Sequence, residues 1–186
     1  MEQPVLPERM NVAKFRRWLD AHAGDRRFEL SDGEIVALAS ERAIHARLKA
    51  EAFSALQTAA SGLSCEVFVD GMAVEIGDRT QREPDAALQC GDPLPPDAMF
   101  YTDPIVLVEV LSLSTSSLDT NAKFAEYTQI ESLAHYLTVD PSRKIVVAHR
   151  RTPDGFVAAI LPGGPLCLDP PGITLDLDAV LAPLNA

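Results

Sequence analysis

Residues 105–114 read IVLVEVLSLS and form the most apolar strand-like stretch of the sequence. Apolar residues fill both alternating positions of this stretch, so the strand that it predicts must be covered on both faces. A strand of this kind is typical of the centre of a sheet that is flanked by helices. Glu109 interrupts the apolar run, and an unpaired carboxylate there would cost on the order of several kcal/mol. The sequence therefore predicts a central strand with one acidic side chain that needs a partner.

Two interpretations of Glu109 stay open at this point. In the functional one, its carboxylate meets a metal ion or another cation, or faces a water-filled cleft, because ionisable groups in protein interiors are enriched at functional sites. In the structural one, Glu109 lies at a strand end and pairs with a nearby arginine, since structural ion pairs imitate functional sites.

The flanking segments predict an α/β or α+β fold with one mixed sheet. Apolar spacing predicts helices at 11–22, 41–61 and 119–130. The dipeptides Asp32–Gly33 and Asp70–Gly71 each predict the turn of a β-hairpin, so antiparallel neighbours are expected. Further strands are expected at 84–90, 135–140, 144–151 and 156–161, followed by a tail with proline-rich turns.

Length and composition suit one domain that covers residues 1–186. No apolar run approaches the roughly 20 residues that a membrane span needs, and the N-terminus lacks the apolar core of a secretory signal. A cytoplasmic protein is therefore expected. The three cysteines, Cys65, Cys90 and Cys167, lie far apart without a CxxC pair, which favours buried reduced thiols.

The net charge of −11 is unusual for a protein that binds nucleic acid, although the local distribution of charge matters more than the sum. Basic residues are found in pairs, and most of them are expected to be solvated surface residues. These are Arg16/Arg17, Arg26/Arg27 and Arg150/Arg151, with Arg79 and Arg82 shortly before Asp85.

Asp85 is a second acidic candidate, because Pro84–Asp85 opens the short apolar segment 84–90. If this strand lies beside the central one, Asp85 and Glu109 converge. Two carboxylates and a main-chain carbonyl form an oxygen-only site suited to Mg²⁺. The alternative is that Pro–Asp marks an ordinary turn.

Lys123 is a candidate in the helix after the central strand. It is expected in the first turn, where the helix dipole disfavours a cation, so it suggests a partner outside the helix. The alternative is a solvated surface lysine.

Several segments together resemble the Uma family of restriction endonucleases in the PD-(D/E)XK nuclease superfamily. They lie in family order over roughly residues 12–150 and read FELSDGEIV, His45 in the next helix, PDAAL, IVLVEVLSLST, DTNAKFAEY and HYLTVDP. The resemblance implies a restriction-endonuclease-like, three-layer α/β/α sandwich with a mixed central sheet.

The resemblance also implies roles for individual residues. Asp85 is similar to the aspartate of the motif and Glu109 to its glutamate, and together with the Val110 carbonyl they would hold Mg²⁺ or Mn²⁺. The lysine position of the motif falls on Leu111, which cannot serve, and Lys123 matches a lysine supplied by the next helix.

Three further positions follow from the resemblance. Glu34 or Glu29 corresponds to an additional acid, and His45 lies near the site, although a lone helical histidine is more often structural. Leu113 replaces a proline of the family pattern, a change expected to affect loop stiffness.

The implied activity is metal-dependent endonucleolytic hydrolysis of DNA, with DNA bound at a locally basic surface by a homodimer. Two other functions stay open. A non-catalytic interaction module on a nuclease fold is favoured by the negative charge and opposed by the intact Asp, Glu and Lys set. A phosphoesterase for small molecules would tolerate the negative charge better than a DNA-binding protein.

Overall fold

The computed structural model describes residues 9–22, 27–112 and 117–185, without the side chains of 117–119. The chain divides into two compact units, which are described separately. The first comprises residues up to Ser40 and Glu75–Arg82, and the second comprises Glu41–Val74 and the chain from Glu83 onward. The organisation as one domain stays a prediction.

The elements of both units are numbered in chain order. The described helices are α1 (Val12–Ala21), α2 (Ala43–Ala59), α3 (Ser117–Tyr127) and α4 (Leu177–Leu181), with a short 3₁₀ turn at Ala182–Leu184. The described strands are β1 (Phe28–Ser31), β2 (Glu34–Ala37), β3 (Cys65–Val69), β4 (Val74–Ile76), β5 (Thr80–Arg82), β6 (Ala86–Cys90), β7 (Pro104–Val110), β8 (His135–Asp140), β9 (Ile145–Thr152), β10 (Gly155–Leu161), β11 (Pro165–Leu168) and β12 (Ile173–Asp176).

The first unit combines α1 with a four-stranded sheet in the order β2-β1-β5-β4. Its small core contains Val12 and Phe15 of α1 and Leu30 of β1. The β1–β2 hairpin closes as predicted, because Asp32 and Gly33 both adopt positive φ angles, of 43° and 84°. Such angles match the twist of two antiparallel strands joined by two residues.

The second unit is built on a six-stranded mixed sheet in the order β10-β9-β8-β7-β6-β3. As predicted, β7 lies inside the sheet. It is also the neighbour of β6, which meets the condition set for Asp85 and Glu109 to converge. It is antiparallel to β6, where Val108 faces Ala86, and parallel to β8, where Glu109 faces Thr138.

Helices cover both faces of β7, which confirms the predicted α/β fold with a mixed central sheet. On one face, Val108 and Val110 share a core with Leu56 of α2. On the other, Tyr127 of α3 packs against Tyr136 of β8, with 5.3 Å between ring centroids. Glu109 alternates with Val108 and Val110 and therefore points to the α3 face.

The hairpin predicted at Asp70–Gly71 is wrong. Both residues adopt positive φ angles, as a tight turn requires, but the strands around them enter different sheets. β3 pairs with β6, Val69 facing Ala86, whereas β4 belongs to the four-stranded sheet.

The prediction of three buried reduced thiols is also wrong. Cys65 and Cys90 face each other across the antiparallel β3–β6 pair and form a disulfide. The disulfide could not be predicted from the sequence separation of 25, because the pairing of β3 with β6 brings the two cysteines together. Cys167 is free and exposed.

The tail contains more regular structure than its prolines suggested. Two strands, β11 and β12, form an antiparallel hairpin, and α4 follows with the Asp176 side chain capping its N-terminus. The predicted effect of Leu113 concerns a position outside the described residues. Within the described residues, no helix is both long and apolar enough to cross a membrane.

Candidate active site

The candidate site is centred on Val110, the last residue of β7. Asp85 lies directly before β6, the antiparallel neighbour of β7, so its side chain reaches the end of β7. The Val110 N–H donates a 2.7 Å hydrogen bond to Asp85 Oδ2. The strand geometry thus places the Asp85 carboxylate beside Val110, the residue that follows Glu109.

Asp85 is bound by β7 through Val110, and it is also bound by two side chains of helix α2. His45 and Lys49 are four residues apart and so share one face of this helix. His45 Nε2 lies 3.4 Å from Asp85 Oδ2, and Lys49 Nζ lies 3.2 Å from Oδ1. Burial acts to raise the pKa of Asp85, but the His45 hydrogen bond, the Lys49 charge and the Val110 N–H lower it overall.

His45 also contacts the main chain of the strand end. Its Nε2 lies 2.7 Å from the Val110 carbonyl oxygen, which can only accept, so Nε2 carries a proton in this contact. Burial acts to lower the pKa of His45, but the hydrogen bond and charge of Asp85, with smaller contributions from Val110 and Glu41, raise it overall. His45 therefore bridges Asp85 and the Val110 carbonyl.

Glu109 is bound from the other side of the sheet by α3. Lys123 Nζ donates to Glu109 Oε2 at 2.8 Å, and the Tyr127 hydroxyl donates to Oε1 at 2.6 Å. The side chains of Glu109 and Lys123 are 7% and 16% exposed, so the pair retains access to solvent. Two interpretations of Glu109 were left open, and both allowed a cationic partner. In the structure that cation is Lys123 and not an arginine.

The predicted place of Lys123 in its helix is wrong, although its contact with a carboxylate fits the expectation. Helix α3 begins at Ser117, so Lys123 is its seventh residue and lies beyond the first turn. The dipole argument does not apply there, because the effect fades within one turn. Lys123 faces Glu109 because α3 packs over the end of β7.

Sequence reasoning missed two residues of this cluster, Lys49 and Tyr127. Each lies four positions after a predicted site residue on the same helix, namely His45 and Lys123. That spacing was a usable signal, since residues four apart in a helix face the same way. Tyr127 also stands in the quoted segment DTNAKFAEY.

The two alternatives for the additional acid lie in the first unit and differ in their surroundings. Glu29 is buried, and its Oε2 accepts a 2.8 Å bond from Arg82, which also donates to Ser31 Oγ. Glu34 is exposed on β2. Arg82 is buried and is thus an exception to the expectation that most of these basic residues are solvated.

Arg151 is a second exception, because it is half-buried and its guanidinium binds main-chain carbonyls after α3. Arg151 Nε donates to the Leu133 carbonyl at 2.6 Å, and Nη2 donates to those of Thr128 and Ile130. This arginine therefore holds the connection between α3 and β8.

The donor chemistry of the strand end suits a hard divalent cation. Asp85, Glu109 and the Val110 carbonyl offer oxygen atoms only, which is the ligand type that Mg²⁺ and Mn²⁺ prefer. Within the described ranges, no three His, Cys, Asp or Glu side chains are grouped as a metal site. The predicted set contains two such side chains, so water and a phosphate oxygen would complete it, as is usual for Mg²⁺.

Comparison with known proteins identifies relatives over most of the chain. The Uma2 family, described as "Putative restriction endonuclease", matches residues 12–177. The "Uncharacterized protein sll1609" of Synechocystis sp. is 32% identical over 115 residues, which cover 60% of this chain and 65% of that protein. The chain thus matches slightly less than two thirds of this relative. The "Uncharacterized protein slr1290" of the same organism is 26% identical over 128 residues, covering 68% of this chain and 67% of the relative.

A solved structure shares the fold. It is the crystal structure of "a putative nuclease belonging to DUF820" from Anabaena variabilis, with a TM-score of 0.74 and 14% sequence identity. The superposition covers 94% of this chain and 99% of that one. The similarity therefore extends over nearly the entire length of both chains.

Proposed function

Because this chain belongs to the Uma2 family, described as "Putative restriction endonuclease", we propose that it is a metal-dependent endonuclease that hydrolyses DNA phosphodiester bonds. One observation supports this most strongly. Glu109 is the second-last residue of β7, Asp85 reaches the same strand end from the start of the adjacent β6, and each carboxylate pairs with a lysine from a different helix. Four ionisable side chains from separate elements are thus directed at one strand end, as a catalytic site requires and a simple ion pair does not.

In this proposal, Asp85, Glu109 and the Val110 carbonyl hold Mg²⁺ or Mn²⁺. When bound, the cation supplies a Lewis acid for the phosphodiester. Hydrolysis adds water at phosphorus, breaks one ester P–O bond, and leaves an alcohol after the departing oxygen takes up a proton. Tyr127 fixes Glu109 Oε1 by its hydrogen bond and so holds this carboxylate in one orientation.

Lys123 and His45 have distinct tasks in the proposed reaction. Lys123 lies on Glu109 with partial solvent access, so its ammonium group can orient water or neutralise charge that develops on the phosphoryl oxygens. His45 holds Asp85 and the Val110 carbonyl in their relative position through Nε2. The choice between Glu29 and Glu34 as the additional acid stays a prediction.

The first experiment measures cleavage of supercoiled plasmid and single-stranded DNA with Mg²⁺ and Mn²⁺. We expect cleavage by the wild type and a loss on the order of 10²-fold or more in Asp85→Asn, which keeps the shape of the side chain but removes its charge. Asp92→Ala is the matched control, since Asp92 is an exposed acid of the same unit. Calorimetry should show Mn²⁺ binding to the wild type and not to Glu109→Ala.

Other outcomes would point to the other functions. Mn²⁺ binding with hydrolysis of a small phosphodiester, but of no nucleic acid, would indicate the small-molecule phosphoesterase, which the net charge of −11 favours. Neither Mn²⁺ binding nor any hydrolysis would indicate the interaction module. Chromatography alongside these assays tests the predicted homodimer.

A further inference from the structure

Lys49 joins three carboxylates that come from separate parts of the second unit. Its Nζ lies 2.6 Å from Glu41 Oε1, 2.7 Å from Asp70 Oδ2 and 3.2 Å from Asp85 Oδ1. Glu41 precedes α2, Asp70 follows β3, and Asp85 precedes β6. Only 5% of the Lys49 side chain is exposed, so this ammonium group is an internal cation.

The number of donors matches the number of acceptors. An ammonium group has three N–H donors, and the three carboxylates can each accept one of them. The three carboxylate oxygens therefore surround one point at distances of 2.6 to 3.2 Å. With Lys49 present, these carboxylates are not grouped as a metal site. Removal of the ammonium group would leave three hard, anionic oxygen ligands that can close on a divalent cation.

Lys49 also distinguishes the two oxygens of Asp85. Oδ1 faces Lys49, whereas Oδ2 accepts from the Val110 N–H and lies near His45. The oxygen held by Lys49 is thus directed away from the Val110 main chain. The other oxygen stays on the side where the proposed cation would be bound.

We propose that Lys49 is a positioning residue of the nuclease site, whose ammonium group fills the position between Glu41, Asp70 and Asp85 and so directs the divalent cation to Oδ2 of Asp85. This inference rests on the proposed function. A purely structural role of Lys49 predicts a different result. In that case, removal of Lys49 would leave metal binding unchanged or weaken it.

The test is calorimetry of the full chain with Mn²⁺ alone as the probe. We expect Lys49→Met to bind one more equivalent of Mn²⁺ than the wild type, since three carboxylates lose their internal counter-ion. Lys49→Arg keeps the positive charge and should keep the wild-type stoichiometry. Adding Asp70→Asn to Lys49→Met removes one carboxylate and should abolish the extra equivalent. DNA cleavage by Lys49→Met should fall on the order of 10²-fold, because Asp85 then also binds the extra cation through Oδ1 and no longer holds the catalytic cation in its place.

The same stoichiometry and affinity in Lys49→Met and the wild type would overturn the inference. Should Lys49→Met not fold without metal, circular dichroism during Mn²⁺ addition decides, with recovery of the fold supporting the inference and no recovery overturning it. Failure of the proposed function is recognised separately. A wild type that neither binds Mn²⁺ nor cleaves DNA would overturn both, whereas normal wild-type behaviour with an unchanged Lys49→Met overturns the role of Lys49 alone.

Discussion

Glu29 and Glu109 are both buried strand residues that bind a basic side chain at 2.8 Å, yet their surroundings differ. The side chains of Glu29 and Arg82 are 2% and 3% exposed, and the Arg82 guanidinium joins Glu29 to Ser31 of the same strand. The Glu109–Lys123 pair is more exposed and stands next to Val110, whose main chain contacts Asp85 and His45.

If the proposed function holds, this difference identifies the property of a buried charge that separates the candidate site from a structural ion pair. Burial and a close opposite charge are common to both pairs, so these two features do not separate a structural ion pair from an active site. The distinguishing property is convergence, because two strands and two helices direct ionisable groups at the end of β7. The Glu29–Arg82 pair lies within one small sheet and links its neighbouring strands β1 and β5.

The largest expected effect concerns the structural pair. Arg82→Met removes the cation and leaves Glu29 buried without its counter-charge, a change that typically costs about 3–5 kcal/mol of unfolding free energy. Urea unfolding followed by circular dichroism measures the loss. Arg79→Met is the control, because Arg79 forms a surface pair with Asp32 and should change stability by no more than about 0.5 kcal/mol. Equal unfolding free energies of the two variants would contradict the structural role of the Glu29–Arg82 pair.

The second effect concerns the pair proposed to act in catalysis. Lys123→Met keeps the aliphatic length, removes the charge, and should lower the DNA cleavage rate on the order of 10²-fold. Its loss of stability should be smaller than that of Arg82→Met, because Glu109 keeps its Tyr127 hydrogen bond and some solvent access. Parallel cleavage assays and urea unfolding measure both quantities.

Arg143→Met serves as the control for Lys123→Met. Arg143 is a cation of the same unit, its side chain is 76% exposed, and it should affect neither rate nor stability appreciably. Normal cleavage by Lys123→Met would remove Lys123 from the proposed site. A stability loss as large as that of Arg82→Met, with normal cleavage, would make both pairs structural.

The sequence predicted the parts of the fold that depend on local patterns. The apolar run around Glu109 indicated a strand with both faces covered, and Asp32–Gly33 indicated a hairpin that the structure contains. The pairing of β6 with β7 also meets the condition under which Asp85 and Glu109 were expected to converge. Their roles in metal binding and catalysis stay predictions.

The sequence did not predict features that depend on which strands pair. Asp70–Gly71 has the composition of a hairpin turn, but composition does not specify which partner the next strand chooses. The Cys65–Cys90 bond depends on the same β3–β6 pairing. The sequence gives no sign that Lys49 differs from other helical lysines. Its contacts with Asp70 and Asp85 depend on where the ends of β3 and β6 lie in the fold.

The smallest of the three effects concerns His149, a half-buried titratable group of a third kind. Its ring lies 4.3 Å from the Phe124 ring and 5.7 Å from that of Tyr136, so among the described residues its neighbours are aromatic rings and not an opposite charge. Burial lowers the pKa of His149 below its usual value of 6.5, against a smaller raising effect of a hydrogen bond with the Tyr136 backbone. Above pH 6.5 the imidazole is neutral in both states, and as the pH falls below 6.5 the unfolded chain takes up the proton first, so stability is lost.

Urea unfolding at pH 7.5 and 5.5 should therefore show a smaller acid-induced loss of unfolding free energy in His149→Gln than in the wild type. The remaining loss comes in part from His135, whose pKa burial also lowers. His22→Gln, which changes an exposed histidine, should behave like the wild type, and an unchanged loss in His149→Gln would mean that the acid-induced loss has another origin.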